Sequence, residues 1–231
     1  MIDTGYKISF HHQEEDNMSE LFGGHIVARY LKEVERVEVV FSLSGGHIDR
    51  IYDGFLDYGV KLIDVRHEQA AAMMAHAWSV YNGNPGVCLV TAGPGFTNAL
   101  TGVANAYQEN APMVILSGTS PLKDRGLGAL QEINQADMIK STVKWADTCY
   151  DVKRIPEYLF TAFRHAVSGR PGPVFLELPP DILNVAAKED ELSWPSRGGV
   201  SPKPGPDPSL IKPAADLIDA SERPFIIAGS G

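Results

Sequence analysis

The sequence lacks most of the features that mark secreted, membrane-bound and nucleic-acid-binding proteins. Its 231 residues include only two cysteines, Cys88 and Cys149, which are far apart and lie in or beside apolar runs. We therefore expect two buried thiols of a reducing compartment rather than a disulfide. The 20 lysines and arginines are outnumbered by 29 aspartates and glutamates, and the resulting net charge of −9 argues against a nucleic-acid or anionic membrane partner.

Long apolar stretches and targeting patterns are also missing. No run approaches the roughly 20 apolar residues that a membrane-spanning helix needs. The first residues show no charged-then-apolar signal pattern, so we expect a cytoplasmic protein. They are polar and irregular, which predicts an N-terminal extension over residues 1–18. His11 and His12 in this extension have no partner ligand at useful spacing, so we expect them to be solvated.

Apolar strands and amphipathic helices alternate through most of the chain. Between Ser19, which is available as the N-cap of a first helix, and Leu183, short apolar runs alternate with segments of helical periodicity. This order predicts an α/β domain with a parallel sheet and helices on both faces. Ligands of such sheets bind at the carboxyl ends of the strands. Three predicted strands run into glycine-rich or acidic corners, namely Ser44-Gly45-Gly46-His47, Arg66-His67-Glu68 and Gly93-Pro94-Gly95.

The composition changes after Leu183. Residues 184–208 are rich in proline, glycine, serine and charge, which predicts a linker. Residues 209–231 contain one more helical pattern and then Arg223–Gly231, which is typical of a strand followed by a glycine-rich turn. One such unit cannot build a core of its own. We therefore expect a fragment that ends at the beginning of a second α/β domain.

Two common phosphate-binding loops are absent from the sequence. Gly93-Pro94-Gly95 is not followed by the third glycine of a G-x-G-x-x-G loop, and no Gly-Lys-Ser/Thr sequence occurs. A nicotinamide dehydrogenase is therefore disfavoured. Taken alone, Gly93-Pro94-Gly95 is equally consistent with a tight turn, and Glu68 with a carboxylate that only complements a helix dipole.

Five motifs occur together in the order typical of one enzyme family. They are Ser44-Gly45-Gly46-His47-Ile48, Arg66-His67-Glu68, Thr91-Ala92-Gly93-Pro94-Gly95-Phe96-Thr97-Asn98, Ala129-Leu130-Gln131-Glu132 and Ser168-Gly169-Arg170-Pro171-Gly172-Pro173-Val174. The series resembles the pyrimidine-binding N-terminal domain of thiamine-diphosphate enzymes of the acetolactate synthase, benzaldehyde lyase and 2-hydroxyacyl-CoA lyase group. The resemblance covers residues 19–183, and residues 209–231 look like the beginning of that family's central domain.

The resemblance implies catalytic roles for three residues. Glu68 matches the glutamate that hydrogen-bonds N1′ of the cofactor's aminopyrimidine ring and thereby promotes removal of the C2 proton of the thiazolium. His47 would exchange a proton with the substrate-derived group. Gln131 matches a glutamine that hydrogen-bonds the oxygens of that group. The simpler alternatives are a His47 that caps a turn and a Gln131 amide on a surface loop.

The remaining matched positions lie on loops that the resemblance places near the pyrimidine ring. Besides Glu68, these cofactor-binding positions are Gly45, Gly46, Thr91, Gly95 and Asn98. A turn and a helix cap would explain the last three equally well. Arg66 adds a further alternative, because it could pair with Glu68 or with a neighbouring acid.

The motifs leave the substrate open. Acetolactate synthases of the family carry a small residue in the place of His47 and phenylalanine in the place of Leu130, whereas Gln131-Glu132 resembles the synthases more than the lyases. We expect a carbon–carbon lyase or carboligase that acts on a small carbonyl substrate: a 2-keto acid, a 2-hydroxy ketone or a 2-hydroxyacyl thioester.

The resemblance also predicts what the rest of the enzyme supplies. The family holds the diphosphate through Mg²⁺ on a Gly-Asp-Gly motif in a C-terminal domain; nothing in this sequence matches that motif, and we assign no metal ligand. The active site forms between the subunits of a homodimer or homotetramer, so this chain alone is predicted to be inactive. Whether FAD occupies the central domain stays open. The alternative function is a non-catalytic structural or interaction module with the same fold.

Overall fold

A parallel six-stranded sheet forms the centre of the domain. The computed structural model describes residues 20–200, 203 and 205–227. The predicted extension, with His11 and His12, lies outside the described residues. The strands are β1 (Glu20–Phe22), β2 (Val39–Leu43), β3 (Lys61–Asp64), β4 (Gly86–Val90), β5 (Met113–Gly118), β6 (Ala146–Thr148), β7 (Pro173–Leu178) and β8 (Ala186–Lys188). The sheet has the order β3-β2-β4-β5-β7-β6 with every pairing parallel, while β1 and β8 form a separate antiparallel pair.

Helices connect the strands and cover both faces of the sheet. They are α1 (Gly23–Arg29), α2 (Asp49–Tyr58), α3 (Glu68–Asn82), α4 (Pro94–Gln108), α5 (Gln135–Ile139), α6 (Ile155–Val167), α7 (Pro180–Leu183) and α8 (Pro208–Asp219); a π-helical turn, Tyr30–Val34, extends α1. Every residue of β4, β5 and β7 is buried, as expected for strands covered on both sides. The predicted α/β fold class is confirmed.

The core has two parts, one on each face of the sheet. On one face α1, α2 and α6 pack against strand residues such as Leu89 and Leu116, and on the other α3, α4 and α5 pack against residues such as Cys88 and Ile115. Neighbouring residues of one strand thus face opposite cores, because side chains alternate along a strand. Both cysteines are buried and unpaired, as predicted, and burial raises the pKa of each thiol to about 12.

The topology changes direction between β2 and β4. The chain runs from β2 to its neighbour β3 and then crosses back to β4 on the other side of β2. A crevice opens at the carboxyl ends of two such strands because their connections leave in opposite directions. The corner after β2 and the turn after β4 therefore meet at this point.

The structure corrects the prediction of the first helix. The helix begins at Gly23 rather than at Ser19, and Leu21 lies in β1, where it pairs with Ala187 of β8. The apolar spacing of this segment fits a helix, but the backbone hydrogen bonds to a strand about 170 residues away determine its conformation.

Part of the segment 184–208, which we predicted to be a linker, packs against the domain. β8 pairs with β1, and the carboxylate of Glu35 accepts hydrogen bonds from the backbone N–H groups of Gly198 and Gly199 at 2.7 and 3.0 Å. By contrast, every residue from 205 to 227 is exposed, including the predicted helix, which is α8. Residues 224–227 are not in a strand, and residues 228–231 of the predicted strand and turn lie outside the described part. The domain boundaries stay a prediction.

Candidate active site

The corner after β2 approaches the end of β4 so closely that position 45 has no room for a side chain. A Cβ atom at Gly45 would lie 2.5 Å from Cβ of Thr91, a distance that real atoms do not reach. Gly46 is different, since the nearest atom to its Cβ position, Oδ2 of Asp49, is 3.9 Å away. Glycine is thus a steric requirement at position 45 and not at position 46.

His47 lies in this corner with its ring directed to Thr91. The residue is 9% exposed, and its Nδ1 atom is 3.2 Å from Oγ1 of Thr91. The hydroxyl can donate to the nitrogen or accept from it, depending on the tautomer of the ring. The following helix, α2, begins two residues later at Asp49. The imidazole is therefore oriented by a side-chain hydrogen bond at the end of the neighbouring strand.

Glu68 is the first residue of α3 and is 7% exposed. His67 caps the helix through Nδ1, which accepts a hydrogen bond from the N–H of Gln69, so Glu68 is not needed as the cap. Oε2 of Glu68 accepts a hydrogen bond of 2.9 Å from Nδ2 of Asn98 in α4. Arg66, which we considered as a partner of Glu68, instead pairs with Asp64 at 2.9 Å and is almost fully exposed. No cation neutralises Glu68 within the described residues.

Gly95 separates Glu68 from Thr91. A Cβ atom at position 95 would lie 2.7 Å from Cγ2 of Thr91 and 3.3 Å from Oε1 of Glu68. In the described part of the chain, Oε1 accepts no hydrogen bond, and it lies on the side of the carboxylate next to Gly95. Thr91 therefore contacts residues of both corners, since its hydroxyl meets His47 and its methyl lies beside Gly95.

A cavity of about 710 Å³ opens at the carboxyl ends of β2 and β4. Its walls include five of the eight predicted site residues, namely Gly45, Gly46, His47, Thr91 and Gln131. The other three, Glu68, Gly95 and Asn98, form a connected group on the far side of Thr91. The structure thus brings all eight residues together in two adjoining groups that share Thr91.

Gln131 reaches the cavity from a loop that follows β5. Its φ angle of +58° is uncommon for a residue with a side chain. Gly93, itself at φ +60°, lies against it, since a Cβ atom at position 93 would be 2.7 Å from the Gln131 carbonyl oxygen and 2.8 Å from its Cβ. Gly93 thus serves the turn into α4 and the close approach of the Gln131 loop.

Sequence reasoning missed a second polar group beside this loop. Gln135 is 1% exposed, accepts a hydrogen bond from the Gly93 N–H at 2.7 Å and donates to Oε1 of Glu177 at 3.2 Å. Oε2 of Glu177 accepts hydrogen bonds from Thr148 at 2.6 Å and Arg125 at 2.9 Å. The one sequence feature that could have indicated this polar group is Glu177, a carboxylate inside the apolar strand β7.

The residues around Glu68 fit an aminopyrimidine ring. A buried carboxylate with one unoccupied oxygen can bond to a protonated ring nitrogen, and an alanine at position 95 would fill the space beside that oxygen. No three His, Cys, Asp or Glu side chains lie close enough to hold a metal ion in the part of the chain that the structure describes. Among the same residues, no helix is both long and apolar enough to cross a bilayer.

The helix that begins with Glu68 also carries an exposed apolar surface. Met73, Met74, Val80 and Tyr81 of α3 are all exposed, Tyr81 to 90%. Exposed apolar side chains on one helix are typical of a surface that another chain covers. The buried side of α3 therefore packs within the domain, and its exposed apolar side is available to another chain.

Comparisons with known proteins identify a family and several relatives. Residues 22–138 match the family model described as "Thiamine pyrophosphate enzyme, N-terminal TPP binding domain". The chain is 36% identical over 213 residues to a probable acetolactate synthase of Mycobacterium bovis, covering 91% of this chain and 38% of that protein.

Two further relatives carry different names. A probable acetolactate synthase large subunit of Methanocaldococcus jannaschii is 39% identical over 202 residues, covering 86% of this chain and 34% of that protein. The 2-hydroxyacyl-CoA lyase 2 of Xenopus laevis is 43% identical over 170 residues, covering 74% of this chain and 26% of that protein. The chain thus spans less than two fifths of the length of these curated relatives.

Proposed function

Because the chain belongs to the thiamine pyrophosphate enzymes, as an N-terminal TPP-binding domain, we propose that it supplies the pyrimidine-binding half of an active site. The enzyme would be a thiamine-diphosphate-dependent carbon–carbon lyase or carboligase that acts on 2-keto acids, 2-hydroxy ketones or 2-hydroxyacyl thioesters. The single observation that carries this proposal is the buried carboxylate of Glu68, which has one oxygen bound by Asn98 and the other unoccupied beside Gly95. When bound, the cofactor supplies a carbon nucleophile and an electron sink for the cleaved bond.

In this proposal Glu68 holds and releases a proton at the ring nitrogen of the pyrimidine. Asn98 fixes one oxygen of the carboxylate by donating to it, which leaves the other oxygen directed to the cofactor. Burial limits the access of bulk water to this oxygen, so water competes less with the ring nitrogen for its hydrogen bond.

His47 and Gln131 act on the substrate side of the cavity. The imidazole, held through Nδ1 by Thr91, has its second nitrogen free to donate or accept a proton at the substrate oxygen. The amide of Gln131 lies on the same wall and can donate a hydrogen bond to that oxygen. The relatives' names include both synthases and a lyase, so the substrate stays within the classes above.

The remaining parts of the site would come from outside this chain. We propose Mg²⁺ and the diphosphate clamp on a C-terminal domain, and a cytoplasmic homodimer or homotetramer in which a second copy covers the apolar face of α3. Met73 and Met74 on that face lie within two turns of Glu68 on the same helix, so a copy that covers them would lie beside the cofactor site. Visible flavin absorbance of the purified enzyme decides whether FAD is present.

Cofactor binding with and without the clamp domain tests the proposal. Calorimetric titration with thiamine diphosphate and Mg²⁺ should show no binding to this chain alone and binding after a domain with the Gly-Asp-Gly motif is joined to it. Light scattering on the same samples should then give a dimer or tetramer. A chain that forms the complete assembly and still binds no thiamine diphosphate would favour the non-catalytic module.

A further inference from the structure

Gln135 forms hydrogen bonds to the ends of three strands. Its Oε1 atom accepts from the N–H of Gly93 after β4, and its Nε2 atom lies 3.3 Å from Oγ of Ser117 and 3.0 Å from the carbonyl oxygen of Gly118 in β5. The same nitrogen is 3.2 Å from Oε1 of Glu177 in β7. A buried amide whose oxygen and nitrogen both have partners has one preferred orientation, because a flip would place its oxygen against acceptors and its N–H₂ group against a donor.

The hydrogen bond from Gly93 links Gln135 to the cavity. Gly93, whose N–H donates to Gln135, is also in contact with Gln131. A Cβ atom at Gly93 would lie 2.8 Å from Cβ of Gln131. Gln131 needs this contact with Gly93, because a non-glycine residue at φ +58° has a backbone conformation that is sparsely populated.

The other end of the same loop is held by Glu177. Its second oxygen accepts from the guanidinium of Arg125, six residues before Gln131, and from the hydroxyl of Thr148 in β6. Within the loop, the carboxylate of Glu132 accepts hydrogen bonds from the N–H groups of Gly126, Gly128 and Ala129. The loop is thus folded internally and attached to the sheet on both sides of Gln131.

From these contacts we infer that Gln135 is a positioning residue that places Gln131 in the cavity through Gly93, with Glu177 holding Gln135 in its orientation. The inference rests on the proposed function only for the role of Gln131 in catalysis. The placement of Gln131 is a property of this chain and is measured without cofactor.

Nuclear magnetic resonance on the whole chain tests the placement with Gln135→Met, which keeps the size of the side chain but not its hydrogen bonds. The Overhauser contact between Gly93 Hα and Gln131 Hβ should disappear, and the Gly93 amide should exchange at least about tenfold faster. Exchange in the centre of β5 should stay unchanged. Gln108→Met, the same substitution at an exposed position of α4, should alter none of these signals.

Equal acceleration of exchange throughout the sheet in Gln135→Met would show that Gln135 only stabilises the fold, and the inference would be wrong. An intact Gly93–Gln131 contact would also overturn it. Gln135→Asn serves if the methionine variant does not fold, because it keeps the amide but shortens the side chain by one methylene group, which draws the oxygen away from Gly93. The contact and the protection of Gly93 should then be weakened together, and weakening of one without the other, or of neither, contradicts the inference.

In the assembled enzyme Gln135→Met should lower kcat with little change in the binding of thiamine diphosphate, as expected for a displaced Gln131. If the contact is lost but kcat is unchanged, the placement is correct and the proposed catalytic role of Gln131 is wrong. The two experiments therefore separate a failure of this inference from a failure of the proposed function.

Discussion

Two buried glutamates at the same edge of the sheet have very different surroundings. Both oxygens of Glu177 are engaged, one by Gln135 and the other by Thr148 and Arg125. Glu68 receives a single hydrogen bond, from Asn98, among the described residues. A buried carboxylate stabilises a fold only when its hydrogen bonds are complete, and an incomplete one is costly. The difference supports a structural role for Glu177 and the ligand-binding role that we propose for Glu68.

The largest effect that we expect from this difference is on catalysis. Glu68→Gln in the assembled enzyme should slow exchange of the C2 proton of thiamine diphosphate at least about 1000-fold, because an amide cannot hold and release the proton. Loss of the C2 proton signal in deuterated solvent measures the rate. Glu109→Gln, at an exposed position after α4, is the matched control and should exchange normally. Exchange near the wild-type rate in Glu68→Gln would remove the basis of the proposed function.

The same substitution at the two glutamates should have opposite consequences for stability. Glu177→Gln places an N–H₂ group opposite either the Gln135 amide or the Thr148 and Arg125 donors, so we expect a loss of about 2 kcal/mol in the free energy of unfolding. Glu68→Gln keeps an acceptor for Asn98 and points its new donor to the open side, so the change should stay within about 0.5 kcal/mol. Urea unfolding of both variants measures the difference. Equal losses would mean that Glu68 is a structural residue.

The comparison also shows what could be predicted from the sequence. Glu68 stands at a visible junction between an apolar strand and a small-residue helix, and the resemblance supplied its role. The loops that carry His47, Thr91 and Gln131 follow predicted strands, and parallel strands bring their carboxyl ends to one edge. Local patterns were therefore sufficient to place these residues near one another.

Residues whose surroundings come from distant segments were not predictable in this way. Gln135 acquires its partners from β4, β5 and β7, and no local pattern distinguishes it from an exposed glutamine. The local apolar spacing predicts a helix at Leu21, but its partner strand β8, near the other end of the domain, holds it in a strand. Hydrogen bonds between segments far apart in sequence decided both cases.

The smallest effect that we expect concerns the space beside the unoccupied oxygen of Glu68. Gly95→Ala introduces a methyl group 2.7 Å from Thr91 and 3.3 Å from Oε1 of Glu68. Overpacking costs about 1–3 kcal/mol, whereas alanine gains at most about 1 kcal/mol over glycine in a helix, so the net change should be a destabilisation of about 1 kcal/mol.

The methyl group at position 95 also occupies space assigned to the pyrimidine ring, so cofactor affinity in the assembled enzyme should fall about tenfold, a change of about 1.4 kcal/mol. Gly205→Ala is the matched control, because its Cβ position is open, it lies outside the site and both quantities should stay within about 0.5 kcal/mol of wild type. Calorimetric titration measures the cofactor affinity of both variants, and urea unfolding measures their stability. An unchanged affinity in Gly95→Ala would place the pyrimidine ring away from Glu68.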